Sequence, residues 1–198
     1  HGSPDGGHGK TQAGVQRKVV NMIIRKALDT DLKEVLAVHG AAFGSDEEAT
    51  LVDDLLKDPS ARPVVSLLAI EKTAILGHIL FTRARLETAA SLSVRILAPL
   101  AVVPQFQKAG IGAALVEKGL KTLSDTGVQL VFVLGHPAYY PRFGFRPAGA
   151  LGFEATYPIL EKNADAWMVR ELAPDILGSY SGKVICADTM NRQEYWIE

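Results

Sequence analysis

Apolar residues recur along the chain with two different periods, and together these periods predict a mixed α/β protein. Short alternating or continuous apolar runs predict strands, whereas apolar residues three or four positions apart predict helices. The predicted strands cover residues 22–26, 64–70, 75–83, 93–103 and 128–134, with later ones near residue 145, at 167–172 and at 183–187. The runs at 93–103 and 128–134 are almost continuously apolar, so we expect both faces of these strands to be covered.

Helices are predicted between these strands from their end signals. The first begins at Thr30 or Asp31, which are typical N-cap residues, and ends at Gly44. The second begins at Ser45, because Ser45 followed by Glu48 has the spacing of a capping box. Further helical segments are expected over residues 110–125 and 138–143. The resulting order, β-α-α-β-β-β-α-β-α-β, indicates an α/β or α+β fold with a mixed sheet.

The beginning of the chain differs in composition from the rest. Residues 1–10 hold four glycines, one proline and no aliphatic side chain, which is typical of a linker or tag. A native extension that docks on the body or on a neighbouring chain is the alternative. We therefore expect residues 1–21 to be a tag, linker or extension, and residues 22–198 to form one domain with a variable part from about residue 150.

Composition and charge exclude several classes of function. The 198 residues carry a net charge of −1, so we expect no nucleic-acid partner and no membrane surface. The most apolar run, residues 96–103, is far shorter than the roughly 18 residues of a membrane span. Cys186 is the one cysteine, which fits a reducing compartment, and we expect a cytoplasmic protein. The five histidines show no metal-ligand spacing, so no metal site is predicted.

The clearest chemical signal is a strand that leads through a glycine-containing turn into a helix. The strand ends with Leu100, Ala101 and Val102, and the turn consists of Gln107, Lys108, Ala109, Gly110, Ile111, Gly112 and Ala113. A helix N-terminus offers unpaired N–H groups and a positive partial charge, and glycines let a phosphate approach the backbone. Gln107 and Lys108 add side-chain donors. Tight packing of helix against strand is the alternative explanation, and neither the P-loop nor the dinucleotide fingerprint matches.

Two stretches together resemble the GNAT superfamily of N-acetyltransferases. Residues 100–116, LAVVPQFQKAGIGAALV, are similar to its acyl-CoA motif, Arg/Gln-x-x-Gly-x-Gly/Ala after a strand. Residues 130–145, LVFVLGHPAYYPRFGF, look like its next strand and helix, and the part from residue 135 resembles the bacterial YhbS-like branch. One departure is Gln107, where many members carry Arg. The resemblance covers residues 22 to about 153.

The resemblance implies a GNAT acyltransferase fold, in which a mixed, mostly antiparallel sheet is flanked by helices and its central strands splay apart. Acetyl-CoA would be the co-substrate, with Leu100, Ala101 and Val102 along its pantetheine and residues 107–113 around its pyrophosphate. The implied activity is direct transfer of the acetyl group to an amine of a small molecule or protein. A non-catalytic acyl-CoA-binding module is the alternative, and a homodimer is one option for its assembly.

Candidate catalytic residues follow from the same resemblance. Tyr140 matches the position of the group that protonates the departing thiolate, and a tyrosine with a pKa of about 10 keeps its proton near neutral pH. His136 is the candidate base, although a histidine held by backbone hydrogen bonds is the alternative. Glu47 and Glu48 border the acceptor side in this superfamily and could bind a cationic amine, but helix capping also accounts for Glu48.

For the remaining candidate residues, the sequence does not distinguish a structural role from a functional one. His78 is expected to pack in the core, Tyr139 to pack over the cleft, and Arg142 either to meet a phosphate or to face solvent. Three roles are open for the aromatic residues of the C-terminal part: they could line an acceptor pocket, seal a dimer interface or pack on the sheet. They are Phe153, Tyr157, Trp167, Tyr180, Tyr195 and Trp196.

Overall fold

A nine-stranded sheet organises the part of the chain that this computed structural model describes, residue 19 and residues 21–197. The strands are β1 (Met22–Lys26), β2 (Val65–Glu71), β3 (Ala74–Leu86), β4 (Ala89–Val102), β5 (Leu130–Leu134), β6 (Arg146–Pro147), β7 (Phe153–Glu154), β8 (Trp167–Glu171) and β9 (Gly182–Cys186). The main order is β1-β2-β3-β4-β5-β8-β6, and β9 pairs with β3 and β7. The prediction for residues 1–21 lies outside the described residues, except at positions 19 and 21.

Three α-helices flank the described part of the sheet: α1 (Leu32–Phe43), α2 (Glu47–Lys57) and α3 (Ile111–Asp125). A 3₁₀ turn covers Tyr140–Phe143. The predicted end of α1 is confirmed, because Gly44 adopts a left-handed conformation with φ of 68°. The prediction that Ser45 caps α2 is wrong. Asp46 holds the N-cap position, and the Ser45 hydroxyl donates to Glu48 Oε2 at 3.2 Å instead.

The sheet is mixed and mostly antiparallel, as predicted, and its parallel pair β4–β5 opens part way along. That pairing runs from Val94 opposite Leu130 to Leu97 opposite Val133. Beyond this point β4 continues along β3 while β5 continues along β8. Pro99 lies in β4 just past the last pair and has no N–H to donate. The central strands therefore separate, as the resemblance implies.

Apolar clusters cover both faces of the sheet. One lies against α1 and α2 and includes Val52 and Trp196, and the other lies against α3 and includes Leu115. The neighbouring β5 residues Val131 and Phe132 belong to different clusters, which confirms that both faces of this strand are buried. Among the described residues, no helix combines the length and the apolar character needed to cross a membrane.

Candidate active site

A cavity of about 440 Å³ opens where β4 and β5 separate. Small-molecule sites usually measure roughly 300–1,000 Å³. One wall consists of residues 96–100 from β4 together with residues 133–137 from β5 and the segment after it. The other wall comes from the end of α1, the start of α2 and the C-terminal segment, which we define as residues 188–196. Tyr140 lines the same cavity.

The side chain of Tyr140 is buried, and its position depends on Gly135. Only 7% of Tyr140 is exposed, and its ring packs edge-on against Tyr139 and Phe145. A Cβ atom at Gly135 would lie 2.4 Å from Tyr140 Cε2, so a glycine is needed for the ring to fit. Burial, reinforced by Tyr139, raises the pKa of Tyr140. No described residue forms a hydrogen bond with its hydroxyl, and the raised pKa keeps this hydroxyl protonated at neutral pH.

Beyond the last β4–β5 pair, the edge of β4 that faces β5 has no strand partner among the described residues. Val103 N donates to Leu76 O at 2.9 Å, so this residue turns toward β3. Backbone groups alternate in direction along a strand, which turns Ala101 toward β3 and turns Leu100 and Val102 toward the gap. The Gln107 side chain donates from Nε2 to Val102 O at 3.1 Å and so ties the turn to the strand end.

The predicted turn leads directly into the N-terminus of α3. Gly110 is the N-cap residue, with φ of 87°, and Lys108 also has a positive φ of 63°. Ala114 N makes the first intrahelical bond, to Gly110 O, so the N–H groups just before it have no intrahelical partner. A Cβ at Gly112 would lie 2.9 Å from the Tyr139 hydroxyl oxygen. Gly112 thus serves close packing, while the free N–H groups form a site suited to an anion.

The two adjacent tyrosines face different parts of the site. Tyr139 does not line the cavity, and its hydroxyl points at Gly112 in α3. Its ring packs edge-on against Phe143, with Arg142 Cζ at 4.6 Å from the ring centre. Arg142 Nε donates to the Tyr139 carbonyl at 3.0 Å. Burial raises the pKa of Tyr139, although the charge of Arg142 opposes the shift.

His136 lies exposed at the mouth of the cavity. Its carbonyl accepts hydrogen bonds from Tyr139 N at 3.0 Å and from Tyr140 N at 3.3 Å. The backbone of His136 therefore shapes the turn that carries both tyrosines, while its imidazole lines the cavity.

The C-terminal segment supplies cavity residues whose position sequence reasoning left open. Trp196 is fully buried, donates from Nε1 to Met190 O at 2.9 Å and packs against Trp167. Phe153 and Trp167 pack on Phe132 in the sheet. Packing on the sheet therefore accounts for these residues, and Tyr195 and Trp196 also line the cavity. Tyr180 stays 39% exposed, and the Tyr157 hydroxyl donates to Asn191 O.

Asp58, at the end of α2, holds this segment in place. Its Oδ2 accepts from Thr189 N at 2.9 Å and from Thr189 Oγ1 at 2.7 Å, and its Oδ1 accepts from Ser60. Burial opposes ionisation, but the hydrogen bonds from Ser60 and Thr189 lower the pKa of Asp58 to about 2. Short-range sequence patterns carry no sign of this contact, because it joins residues 131 positions apart.

Beneath α1, two buried histidines form a hydrogen-bonded chain. His39 Nε2 lies 2.8 Å from His78 Nδ1, and His78 Nε2 lies 2.7 Å from Ser66 Oγ. Both rings are fully buried, which confirms the core position predicted for His78. Burial lowers the pKa of His39 to about 4, and burial together with His39 lowers that of His78 to about 3. His39 also stacks on Phe43, which lines the cavity.

Comparisons with known proteins agree on one family. Residues 23–148 match a family model described as an acetyltransferase (GNAT) domain. The uncharacterized N-acetyltransferase YjhQ of Escherichia coli K12 is 45% identical over 161 residues, covering 80% of this chain and 88% of that protein. A crystal structure of the Escherichia coli N-acetyltransferase YhbS in complex with CoA superposes with a TM-score of 0.79 at 31% identity, covering 86% of this chain and 92% of that one.

A second solved structure extends this agreement to another organism. A GNAT family acetyltransferase from Brucella melitensis in complex with acetyl-CoA has a TM-score of 0.69 at 29% identity, covering 85% of this chain and 97% of that one. In the described part of the chain, no three His, Cys, Asp or Glu side chains form a group that could hold a metal ion.

Proposed function

Because the chain belongs to the GNAT acetyltransferase family, we propose that it transfers an acetyl group from acetyl-CoA directly to an amine of a small molecule or peptide. One observation carries the proposal. The strand pair β4–β5 opens at Leu97, and the largely buried Tyr140, whose hydroxyl has no partner among the described residues, lines the cavity that results. An acyl thioester between the strands would meet this donor.

The residues around the opening fit an acyl-CoA. The free N–H groups at the start of α3 and the ammonium of Lys108 suit a pyrophosphate, within the proposed contact range 107–113. The backbone of β4 from Leu100 to Val102 offers an open edge on which a pantetheine amide can pair. Two neighbouring structures, YhbS and the Brucella enzyme, bind CoA and acetyl-CoA. These features support acetyl-CoA as the donor.

In the proposed reaction, the nitrogen lone pair of a neutral amine attacks the thioester carbonyl carbon. The N–C bond forms, the C–S bond breaks, and the sulfur leaves as a thiolate that takes the proton of Tyr140. The Val102 N–H polarises the carbonyl, in the manner of an oxyanion hole. The excess proton on the nitrogen passes to His136, directly or through water. Acid and base are then restored by proton exchange with solvent.

The raised pKa of Tyr140 is compatible with this role. In water, a tyrosine with a pKa above 10 would be a weak acid toward a thiolate whose conjugate acid has a pKa of about 8.5. Burial disfavours the charged form of both groups, so a thiolate formed in the same cavity also becomes more basic. The buried thiol of Cys186 shows this effect in the same molecule, since burial raises its pKa to about 12. Proton transfer between two similarly desolvated groups stays feasible.

Two measurements test the proposal. Acetyl-CoA at 100 times its Kd should stabilise the fold by about 2.7 kcal/mol, and NAD or ATP at the same concentration should not. Release of free thiol from acetyl-CoA, measured against a panel of amines, should then depend on the amine. Stabilisation without thiol release for any amine would favour the non-catalytic acyl-CoA-binding module. The absence of any shift with acetyl-CoA would contradict both functions.

A further inference from the structure

One part of the cavity lining is apolar and buried, and we call it the floor. It combines side chains from α2, β4 and the C-terminal segment, which all belong to the apolar cluster against α1 and α2. None of them is more than 8% exposed. The residues of the floor are Leu51, Ile96, Met190 and Trp196.

The floor contains no side-chain donor that still needs a partner. The single N–H of the Trp196 side chain already donates to Met190 O at 2.9 Å. In the described part of the chain, the two buried side-chain atoms without a partner are His39 Nδ1 and Thr82 Oγ1, and neither residue lines the cavity. A polar occupant would lose its bonds to water on the floor without gaining side-chain bonds in return. An alkyl group, in contrast, gains free energy from burial there.

The floor lies past the point where the central strands separate. Ile96 is opposite Phe132, one pair before the last pair of β4 and β5, which joins Leu97 to Val133. The cavity wall also includes residues 98–100, on the open side of that last pair. Leu97, Val133 and Tyr140 belong to the cluster against α3, whereas the floor belongs to the opposite cluster. The cavity therefore reaches from the opening to the face of the sheet that α1 and α2 cover.

The proposed position of the acyl-CoA directs its acyl group toward the floor. The pyrophosphate is assigned to residues 107–113 and the pantetheine to residues 100–102, so the molecule runs back along β4 toward Leu97. The thioester then lies near Tyr140, where the strands separate. The acyl group is the part of the molecule beyond the thioester, and the next β4 residue in this direction is Ile96.

The acceptor amine has a different route to the same carbonyl carbon. The mouth of the cavity carries exposed polar residues, which include Glu47, His136 and Glu194. A polar acceptor stays partly hydrated at this mouth, whereas its burial on the floor would be costly. The floor is therefore left to the acyl group of the donor.

We infer that the donor site takes short straight-chain acyl groups longer than acetyl, such as propionyl and butyryl, with the alkyl tail on the floor. This inference rests on the proposed function and adds the class of donor. The cavity of about 440 Å³ has the size of a site for a whole small molecule, which is far more than one methyl group fills. The tail takes no part in the reaction, in which the N–C bond forms and the C–S bond breaks as for acetyl.

A series of donors of increasing length tests the inference by binding alone. We measure the Kd of acetyl-CoA, propionyl-CoA and butyryl-CoA by titration calorimetry without an amine. Burial of each added methylene should lower Kd by about 4-fold. Succinyl-CoA has as many acyl carbons as butyryl-CoA but ends in a carboxylate, so it should bind no more tightly than acetyl-CoA. A Kd that stays constant or rises with length, or equal binding of succinyl-CoA and butyryl-CoA, would overturn the inference.

Variants of α2 locate the tail. Leu51→Phe fills the floor and should remove the gain of butyryl-CoA over acetyl-CoA, whereas the volume-conserving Leu51→Met should keep it. Leu56→Phe is the matched control, because Leu56 is a half-buried leucine of the same helix outside the lining. Thermal unfolding shows whether each variant folds, and the series with the unaltered protein decides the inference even if Leu51→Phe does not. A gain that survives in folded Leu51→Phe would place the tail elsewhere and overturn the inference.

Thiol release with a panel of amines separates this inference from the proposed function. If the longer donors bind more tightly but no amine releases thiol, the inference stands and the proposed activity is wrong. If acetyl-CoA is consumed with an amine while the longer donors bind no more tightly, the proposed function stands and the inference is overturned. If none of the acyl-CoAs binds, both are wrong.

Discussion

The two sides of the proposed site are built in different ways. The donor side consists of the end of β4, the turn and the start of α3, which are contiguous in the chain and offer mainly backbone groups. The acceptor side joins α2 to the C-terminal segment, more than 130 residues apart, and offers side chains. The position of backbone groups on the donor side depends on local conformation. The position of side chains on the acceptor side depends on contacts between segments far apart in the chain. Changes on the two sides should therefore affect different kinetic parameters.

The largest effect is expected where the two sides meet, at Tyr140. Tyr140→Phe removes the proton donor and keeps the ring that packs on Gly135, so kcat should fall by about 10²–10⁴-fold. The affinity for acetyl-CoA, measured by calorimetry, should stay unchanged. The neighbouring Tyr139→Phe serves as the control, because its hydroxyl faces Gly112 and not the cavity. Near-normal kcat in Tyr140→Phe would show that the hydroxyl has no acid role.

Acidification should destabilise the sheet beneath α1 through His39 and His78. Their pKa values in the folded protein, about 4 and about 3, lie below the ordinary 6.5. The unfolded chain therefore binds more protons as pH falls from 6.5 toward 4, and each histidine should cost about 1.4 kcal/mol of stability per pH unit. Urea unfolding at pH 6.5, 5.5 and 4.5 measures the slope.

Variants at the histidine pair separate this effect from that of carboxylates. His39→Gln removes one titrating ring and keeps an amide donor toward His78, so the slope should fall by about half. Asp58 affects stability at lower pH than the histidines do. The stability that its hydrogen bonds provide is fully present above about pH 3.8 and is lost as the pH falls toward 2. A slope in His39→Gln equal to that of the original protein would rule out His39 as its source.

Loss of the anchor at Asp58 should weaken the acceptor side alone. Asp58→Ala removes the acceptor of the bonds from Thr189 and Ser60, and should cost about 1–3 kcal/mol of stability. With the C-terminal segment loosened, KM for the amine should rise while the Kd of acetyl-CoA stays constant. A parallel rise in both constants would mean that the two sides are not independent. Asp53→Ala, which removes only an ion pair with the exposed Lys57 one turn away on α2, is the matched control.

The smallest effect is expected from a single methyl group on the donor side. Gly112→Ala places its Cβ 2.9 Å from the Tyr139 hydroxyl oxygen, so the Tyr139 side chain or the first turn of α3 must shift. We expect the Kd of acetyl-CoA to rise by several-fold, to about 10-fold at most, with the amine KM unchanged. Adding Tyr139→Phe removes the clashing oxygen and should restore the affinity. Lack of rescue would place the defect elsewhere in the turn.

Sequence patterns predicted the donor side well. The strand, the glycine turn and α3 are contiguous, and their hydrophobic periods and end signals are local properties. The similarity of these residues to GNAT proteins is confirmed by the family match and by the relation to YhbS. Tyr140 was found by the same resemblance. Its catalytic role, the base role of His136 and the contacts of residues 100–102 and 107–113 stay proposals.

Local patterns were less informative at the start of α2 and for very short strands. Ser45 and Glu48 have capping-box spacing, yet α2 starts one residue later and the two side chains bond to each other. The short strand β7 was not predicted, because a two-residue strand has no period and depends on pairing with β9. The single domain over 22–198, a homodimer and a cytoplasmic location remain predictions.

Local sequence determined the order of strands and helices and the glycine-containing turn before α3, because backbone conformation responds to neighbouring residues. Only the tertiary structure decided that β4 and β5 part at Leu97, that Glu194 joins Glu47 and Glu48 around one cavity, and that His39 meets His78. These arrangements bring together residues far apart in the chain, and their stability comes from burial and pairing that no short segment contains.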